Sequence, residues 1–342
     1  MGQHQHWEEK LKKFLITSAF AMSALSVGST AMAEDIFALV PKNMNNPFFD
    51  QARDGCKKAE AESNGAFKCE YIGPGEHGGG DEQVQIVMDL IARGNVKGLG
   101  ISPSNAAAMA VAAQAAKEAG IPVITWDSDL LDTSLRIAYI GTHNYEIGVN
   151  LAKLAMEIKP DGGTVCIQSG GAAAANHNER MQGIRDTLGA MSGTTSPGER
   201  LEGQNGWTEA DGCPLYTDDD FPRSVQQFED FMLANPDVDA FLPTGGFPQF
   251  VPDANRAAVE PYKGKIADGS LALVVADTLP VQIDQMNEGF SAGQVGQRPF
   301  QMGYEVMQAF AKMAAGGEPP ADPTYTGLDV CTPETADNCI AH

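Results

Sequence analysis

The sequence predicts an α/β protein built on two doubly wound, parallel β-sheets. Short apolar segments with strand character alternate with helical segments along almost the whole chain, and the connections between them are short. Alternation of this kind favours right-handed strand–helix–strand units, whose strands pair in parallel. The chain has 342 residues, enough for two hydrophobic cores. We therefore expect two sheets that share about ten strands.

The predicted elements follow one another in order. Asp81 and Ser104 can cap the starts of two helices, and Gly120 followed by Pro122 ends the second of them. Strands are predicted at 36–40, 67–72, 96–101, 122–126, 136–140, 164–168, near 201–204, 240–242 and 271–276. Helices are predicted at 48–63, 81–93, 104–119, 145–158, 177–190, 225–235, 248–260 and 280–289.

The composition and net charge of the chain exclude some classes of function. The chain carries 23 Lys and Arg against 45 Asp and Glu, a formal net charge of −22. This negative charge would repel a phosphate backbone or an anionic membrane surface, so we do not expect the chain to bind nucleic acids. Hydrophobic residues make up 43% of the chain and charged residues 20%, as in ordinary globular proteins.

The first 33 residues are predicted to be a secretory signal peptide. Lys10, Lys12 and Lys13 precede the apolar run 14–27, and small residues up to Ala33 provide a cleavage site. The run is too short for a permanent membrane span, which needs roughly 20 residues. An anchoring or buried helix is the alternative.

Six cysteines follow this segment, an even number in a chain expected to reach an oxidising compartment. Structural disulfides are the default expectation there. Sequence-local pairing predicts Cys56 with Cys69, Cys166 with Cys213, and Cys331 with Cys339. Zinc binding would need closer cysteine and histidine spacings, and none is present.

A glycine-rich loop at 73–78 matches the pattern G-x-G-x-x-G between a strand and a helix. Pro74 removes a backbone N–H, and Glu76 places negative charge where a pyrophosphate would bind, so a dinucleotide site is disfavoured. Two interpretations remain open. The loop is either purely structural or offers Glu76 or His77 to a neutral polar ligand.

Signatures of catalysis are missing from the sequence, and no cofactor is expected. Asp127 and Asp129 end a predicted strand, where they favour hydrogen bonding to a ligand over acid–base catalysis. The acidic run Asp218 to Asp220 lies in the polar stretch 207–222, which is predicted as an irregular surface segment pinned by Cys213. The run lacks the spacing of a calcium loop, so we expect a solvated loop and no metal site.

A different polar and aromatic cluster follows the first strand. Asn46 and Pro47 can begin a helix, and Phe48 and Phe49 stand at its start. The carboxyl end of a strand is where open α/β sheets bind ligands. We expect the two rings to form one wall of a ligand site.

Five short motifs follow one another in a fixed order: Asn45–Phe49, Ile121–Asp127, Gly141–Asn144, Asn178–Gly183 and Val274–Asp277. In this order they make the chain resemble the ribose-binding-protein-like periplasmic solute receptors of ABC transporters. The resemblance extends from residue 35 to about residue 330. It implies the type I periplasmic binding fold: two Rossmann-like lobes, joined by three crossovers, that close on a sugar.

The resemblance also implies domain bounds: an N-terminal lobe at 34–142 plus 298–326, a C-terminal lobe at 143–297, and a separate tail at 327–342. The crossovers are expected near Asn144, Gln297 and Leu328.

Ligand residues are carried over by position. Asn46, Phe48, Phe49 and Asp127 match the first lobe, and Asp277 and Gln297 match the second lobe and its hinge. Asn178 stands where ribose receptors have an arginine, Gly245 where they have an asparagine, and Ser128 in place of another arginine. The full expected ligand set is Lys42, Asn46, Phe48, Phe49, Asp127, Asp129, Asn178, Trp207, Gly245, Asp277 and Gln297.

Lys42, the glycine-rich loop and the segment Thr125 to Asp129 look more like the branch that binds rhamnose or autoinducer-2. The resemblance therefore implies a periplasmic, monomeric receptor that delivers a monosaccharide or polyol to a membrane permease and has no enzymatic activity. Two alternatives are a receptor for a sugar-like signal and a sugar-modifying enzyme. The sequence leaves the identity of the sugar open.

Overall fold

Two β-sheets organise the chain in the computed structural model, which describes residues 35–339. The predicted signal peptide lies outside the described residues. The predicted α/β class with two parallel-sheet lobes is confirmed. Within the described part of the chain, no helix is long and apolar enough to cross a membrane.

The first sheet has six strands, all parallel, in the order β2-β1-β3-β4-β5-β12. Its strands are β1 (Asp35–Val40), β2 (Phe67–Tyr71), β3 (Val96–Ile101), β4 (Val123–Trp126), β5 (Ala138–Gly141) and β12 (Thr324–Tyr325). Its helices are α1 (Pro47–Glu62), α2 (Asp81–Ala92), α3 (Ala106–Glu118) and α10 (Pro299–Ala314).

Alternating side chains of this sheet fill two separate cores. Phe37 and Leu39 of β1 join the core that contains α1 and α10, and Ala38 and Val40 join the core that contains α2 and α3. Helices therefore cover both faces of the sheet, as a doubly wound fold requires.

The second sheet repeats this plan in the order β7-β6-β9-β10-β11-β13, with β8 also paired to β6 and only β13 antiparallel. Its strands are β6 (Gly163–Ser169), β7 (Trp207–Glu209), β8 (Leu215–Tyr216), β9 (Ala240–Pro243), β10 (Ala272–Ala276), β11 (Gly293–Gly296) and β13 (Asp329–Cys331). Its helices are α4 (Asn144–Ile158), α5 (Ala175–Leu188), α6 (Phe221–Ala234), α7 (Pro252–Val259), α8 (Lys263–Ala267) and α9 (Pro280–Asn287).

The chain crosses between the two sheets three times: after β5, after β11 and between β12 and β13. Residues 327–342 were expected to form a separate tail. The structure instead places β13 at the edge of the second sheet, where it pairs antiparallel to β11. Three residues are too few to show a strand periodicity, which is why the sequence gives no sign of this pairing.

The region around Trp207 differs from the prediction. The strand expected near 201–204 is displaced, because the chain turns back at Gly203 and the sheet strand is β7. Leu201 accepts a backbone hydrogen bond from Glu209, so the predicted segment lies beside β7 instead. The stretch 207–222 is therefore not a strand-free surface segment.

Other boundaries shift by smaller amounts. Asn105 rather than Ser104 caps α3, with its side chain accepting from the Ala108 N–H at 3.0 Å, and Gly80 rather than Asp81 precedes α2. The helix predicted at 248–260 is split into a 3₁₀ turn, Phe247–Phe250, and α7.

The three predicted disulfides are confirmed. Cys56 of α1 is joined to Cys69 of β2, Cys166 of β6 to Cys213, and Cys331 of β13 to Cys339. No free cysteine remains among the described residues. Each sheet is therefore covalently tied to a neighbouring element.

Candidate functional site

A cavity with an empty volume of about 270 Å³ lies between the two lobes, at the carboxyl ends of the central strands. In the first sheet the strand order reverses between β1 and β3, and in the second between β6 and β9. Loops diverge at such switch points, which leaves a crevice at the sheet edge. The two crevices face each other, and the cavity is built from both.

The first lobe contributes an aromatic wall. Asn46 caps α1, its side chain accepting a hydrogen bond from the Phe48 N–H at 2.9 Å, and Pro47 occupies the first helical position. The Phe48 and Phe49 rings meet edge-on at 5.3 Å, and Phe49 meets Trp126 edge-on at 5.6 Å. Phe48 and Phe49 line the cavity, so their apolar surface is held at fixed angles.

Asp127 is the central carboxylate of the first lobe. It follows β4 with a φ of 58°, a left-handed conformation that costs a non-glycine residue about 1–3 kcal/mol. Its Oδ2 accepts from the Ser102 hydroxyl at 2.8 Å and lies 3.3 Å from Lys42 Nζ. All three side chains are buried. The strained backbone therefore directs a paired carboxylate into the cavity.

The second lobe contributes one face of α5. Asn176, His177 and Arg180 lie within one turn of the helix and all line the cavity. The Arg180 guanidinium donates to Asn144 Oδ1 at 2.9 Å, the Thr244 carbonyl at 2.9 Å and Gln297 Oε1 at 3.0 Å. These acceptors lie on separate elements and fix the plane of the guanidinium.

His177 stands beside Arg180 with a neutral ring. Burial and the charges of Lys42 and Arg180 hold the pKa of His177 well below its ordinary value. Its Nδ1 lies 3.0 Å from the Thr244 hydroxyl, and its ring contacts Phe247 at 5.4 Å between centroids. It offers a neutral polar edge to the cavity.

Asp277 is the central carboxylate of the second lobe. It follows β10 with a φ of 75°. Oδ1 accepts from Gln297 Nε2 at 2.7 Å, and Oδ2 accepts from the Gly246 N–H at 3.0 Å. Burial raises the pKa of Asp277, and the positive charge of Arg180 opposes that shift only in part.

Several hydrogen bonds and ion pairs join the lobes across the cavity. Lys42 Nζ donates to Asn176 Oδ1 at 2.8 Å, and Asn176 Nδ2 donates to Asp127 Oδ1 at 3.2 Å. Arg180 Nη2 lies 3.5 Å from the same Asp127 oxygen. Side chains from the two lobes are thus in direct contact, and the cleft is closed.

The cavity brings together most of the residues singled out from the sequence. Eight of the eleven line it, and the other three, Asp129, Asn178 and Trp207, do not. The eight are Lys42, Asn46, Phe48, Phe49, Asp127, Gly245, Asp277 and Gln297.

The three remaining predictions are corrected by the structure. Asp129 forms a bidentate pair with Arg136, with N–O distances of 2.7 Å, and faces a different cavity. Asn178 Nδ2 donates to the Ala172 carbonyl at 2.9 Å, and the residue does not line the cavity. Trp207 is buried in the core of the second lobe.

Sequence reasoning missed six lining residues: Asn176, His177, Arg180, Asp219, Phe247 and Phe250. Asn176 precedes the helix predicted at 177–190, and Arg180 lies in the same motif as Asn178, from which the resemblance selected Asn178. The acidic run is also not uniformly solvated. Asp218 pairs with Arg223, Asp220 caps α6, and Asp219 between them is buried at the cavity.

The glycine-rich loop supplies no cavity-lining residue, contrary to one of its two interpretations. Glu76 accepts from Asn45 Nδ2 at 2.6 Å within the first lobe, and His77 contacts Asp219 across the cleft. Among residues 35–339, no group of three or more His, Cys, Asp or Glu side chains could hold a metal ion.

A second, larger interlobe cavity of about 930 Å³ lies beside the crossovers. Asp129 lines it from the first lobe and Glu179 from the second. Burial and the negative charge of Asp129 raise the pKa of Glu179 to about 7. Closure therefore brings two carboxyl groups of like charge towards each other.

Comparisons with known proteins agree with this geometry. Residues 37–318 match the family model described as a periplasmic binding protein domain. The ribose import binding protein RbsB of Escherichia coli (strain K12) is 26% identical over 306 residues, covering 88% of this chain and 92% of that protein.

Solved structures give the same picture. An ABC transporter solute-binding protein from Burkholderia graminis C4D1M, in complex with D-arabinose, is 27% identical with a TM-score of 0.75, covering 91% of this chain and 99% of that one. One from Agrobacterium vitis with bound D-fucose is 22% identical with a TM-score of 0.77, covering 88% and 97%. The second likeness shows the fold alone.

Proposed function

The chain belongs to the periplasmic binding protein domain family, and on that premise we propose that it is the sugar-binding receptor of an ABC importer. The receptor is exported by the predicted signal peptide, acts as a monomer in the periplasm, and passes its ligand to a membrane permease. It performs no chemistry on the ligand. The observation that carries the proposal is the interlobe cavity lined by polar groups and aromatic rings from both lobes.

The lining suits a neutral polyhydroxylated ring. A sugar presents hydroxyl groups around its edge and C–H groups on its faces. Asp127, Asp277 and Arg180 offer acceptors and donors for the hydroxyl groups, and Phe48 and Phe49 offer apolar surface for the faces.

The charges of the cavity also favour a neutral ligand. Lys42 and Arg180 are cationic, and both lie within 3.5 Å of Asp127. A charged ligand would have to displace one member of this buried network and leave another without its partner, which is costly. A neutral ligand can bond to the network and leave its charges paired.

Two lobes that supply separate halves of the ligand shell couple binding to closure. Only the closed form makes both sets of contacts, so a ligand that bonds to both Asp127 and Asp277 stabilises that form. The membrane permease can then distinguish loaded from unloaded receptor by its shape. This is the mechanism of delivery that we propose.

Titration calorimetry with D-ribose, D-allose, D-arabinose and D-fucose tests the function. We expect one site per chain for at least one of these sugars, and recovery of the sugar unchanged by NMR after prolonged incubation. Failure of all four to bind rules out these four sugars, and the proposal fails if mass spectrometry also finds no sugar or polyol released from the purified protein. Conversion of a bound sugar would instead indicate an enzyme.

Export is tested separately by mass spectrometry of protein recovered from the periplasm. Cleavage after Ala33 predicts a mature chain that begins at Glu34. An intact N-terminus on exported protein would rule out this cleavage site.

A further inference from the structure

A polar contact crosses the cleft beside the ligand cavity. His77 belongs to the loop between β2 and α2 in the first lobe, and its side chain is only 3% exposed. Its Nε2 lies 3.7 Å from Oδ2 of Asp219, which belongs to the second lobe. His77 itself does not line the cavity, whereas Asp219 does.

Asp219 receives two imidazoles from opposite lobes. Its Oδ1 lies 3.6 Å from His177 Nε2, and its Oδ2 faces His77. The backbone of Asp219 has a φ of 56°, and its N–H donates to Thr217 Oγ1 at 3.1 Å. These features fix the backbone of Asp219 within the second lobe. His77 meets the Asp219 carboxylate when the first lobe approaches.

Two glycines leave room for this cluster. A Cβ at Gly171 would lie 2.8 Å from Cε1 of His77, and a Cβ at Gly170 would clash with the carboxylate of Asp219. Neither glycine has a left-handed φ. Space around His77 and Asp219, rather than backbone conformation, requires glycine here.

The contact between His77 and Asp219 compensates both side chains for the water that they lose when the lobes close. Neither ring nitrogen of His77 makes a hydrogen bond within the described part of the chain, and Oδ1 of Asp219 also makes none. Buried polar groups of this kind lose hydration when the lobes meet, and the loss is offset only by the charge and dipole opposite them. The pair has favourable energy only while His77 and Asp219 face each other, and hence only in the closed form.

We propose that His77 is a positioning residue for ligand retention: it contacts Asp219 when the lobes close and so slows ligand release without touching the ligand. The inference rests on the proposed function. Because the pair forms after the ligand has entered, its loss should act on the dissociation rate and leave the association rate unchanged.

Stopped-flow kinetics with whichever of the four sugars binds gives the test. We expect His77→Ala to raise the dissociation rate constant about tenfold and to leave the association rate constant within about twofold. Gly171→Ala adds a methyl group in the second lobe that pushes the His77 ring away. It should change the rates in the same direction.

Two controls separate the effect of the His77–Asp219 contact from a general effect on folding. Glu76→Gln alters the neighbouring residue, whose carboxylate bonds among residues 35–339 only to Asn45 of the first lobe, and should leave both rate constants unchanged. In an Asp219→Ala background, His77→Ala should add nothing further, because its partner is gone. An unchanged dissociation rate in His77→Ala, or an equal effect in both backgrounds, would overturn the proposal.

The two proposals fail separately. If no sugar binds the protein, the proposed function fails, and the retention role of His77, which rests on it, fails as well. If a sugar binds and His77→Ala leaves its dissociation rate unchanged, only the retention role is refuted.

Discussion

The two halves of the first interlobe cavity have the same architecture but different electrostatic surroundings. Asp127 and Asp277 each follow the fourth strand counted across their sheet, β4 and β10, and each adopts a left-handed backbone conformation. Asp127 lies within 3.5 Å of two cations, one from each lobe. Asp277 bonds to the neutral groups of Gln297 and Gly246, and burial raises its pKa.

The difference shows that two lobes with the same topology can give corresponding carboxylates different roles. Topology places a carboxylate at the same point in each lobe, and the neighbouring side chains decide what that carboxylate does. Asp127 is bonded across the cleft by Asn176 and Arg180. The described partners of Asp277 all lie on its own side of the cleft. We infer that Asp127 couples ligand binding to closure, and that Asp277 completes the ligand shell.

The largest expected effect comes from Asp127→Ala. The substitution leaves Lys42 and Arg180 buried without their carboxylate and removes a ligand acceptor. We expect sugar affinity to fall roughly 30- to 1,000-fold, or about 2–4 kcal/mol, with the fold retained. Calorimetry measures the affinity, and circular dichroism checks the fold. Asp253→Ala, at an exposed acidic residue, is the matched control. Unchanged affinity in Asp127→Ala would remove this residue from the site.

A smaller effect is expected from Asp277→Asn. The partners of Asp277 are uncharged, and burial already favours its neutral form, so an amide costs less here than at Asp127. We expect affinity to fall by about three- to tenfold, against a larger loss for Asp127→Asn. Calorimetry on the two amide variants decides the comparison. Equal losses would show that the two halves are electrostatically equivalent.

The second interlobe cavity, which Glu179 lines, predicts that sugar affinity depends on pH. The pKa of Glu179 is raised to about 7 in the closed protein, compared with about 4.3 in an unfolded chain. A raised carboxyl pKa stabilises the folded, closed form fully below the unfolded value, and this contribution is lost as pH rises towards 7. We expect sugar affinity to fall by up to about tenfold between pH 5 and pH 8.

Glu179→Gln checks the source of that dependence. The amide cannot ionise, so its affinity and melting temperature should vary less with pH and exceed those of wild type at pH 8. Thermal unfolding and calorimetry across pH 5 to 8 provide the measurement. A variant that keeps the full pH dependence would assign the effect to another group.

The smallest effect on binding is expected from the disulfides, which lie outside the cavity. Cys56–Cys69 closes a 13-residue separation in the first lobe, and Cys166–Cys213 closes 47 residues in the second. Chain entropy assigns them about 3 and about 4 kcal/mol. Replacing either pair with serine should lower the melting temperature, more in the second lobe, and leave sugar affinity within about twofold. A large loss of affinity would show that the disulfides shape the cavity.

The sequence predicts the central strands from short apolar segments. Asp127 could be predicted because it directly follows one of them, whereas Asp277 was indicated by the resemblance to ribose-binding-protein-like receptors. Asp219 lies in a polar stretch whose two short strands have no period to detect. Arg180 was missed because the resemblance selected Asn178, two residues earlier in the same motif, whose side chain bonds to the Ala172 carbonyl instead.

Small-angle scattering shows whether the two lobes close when a sugar binds. The radius of gyration is measured for the mature protein without sugar and with a saturating sugar whose binding calorimetry has established. We expect a smaller radius with sugar, and a weaker decrease in Asp277→Ala than in Phe48→Ala, because Asp277 belongs to the lobe proposed to make its ligand contacts on closure. A radius that stays unchanged while the sugar is bound would contradict the two-lobe mechanism.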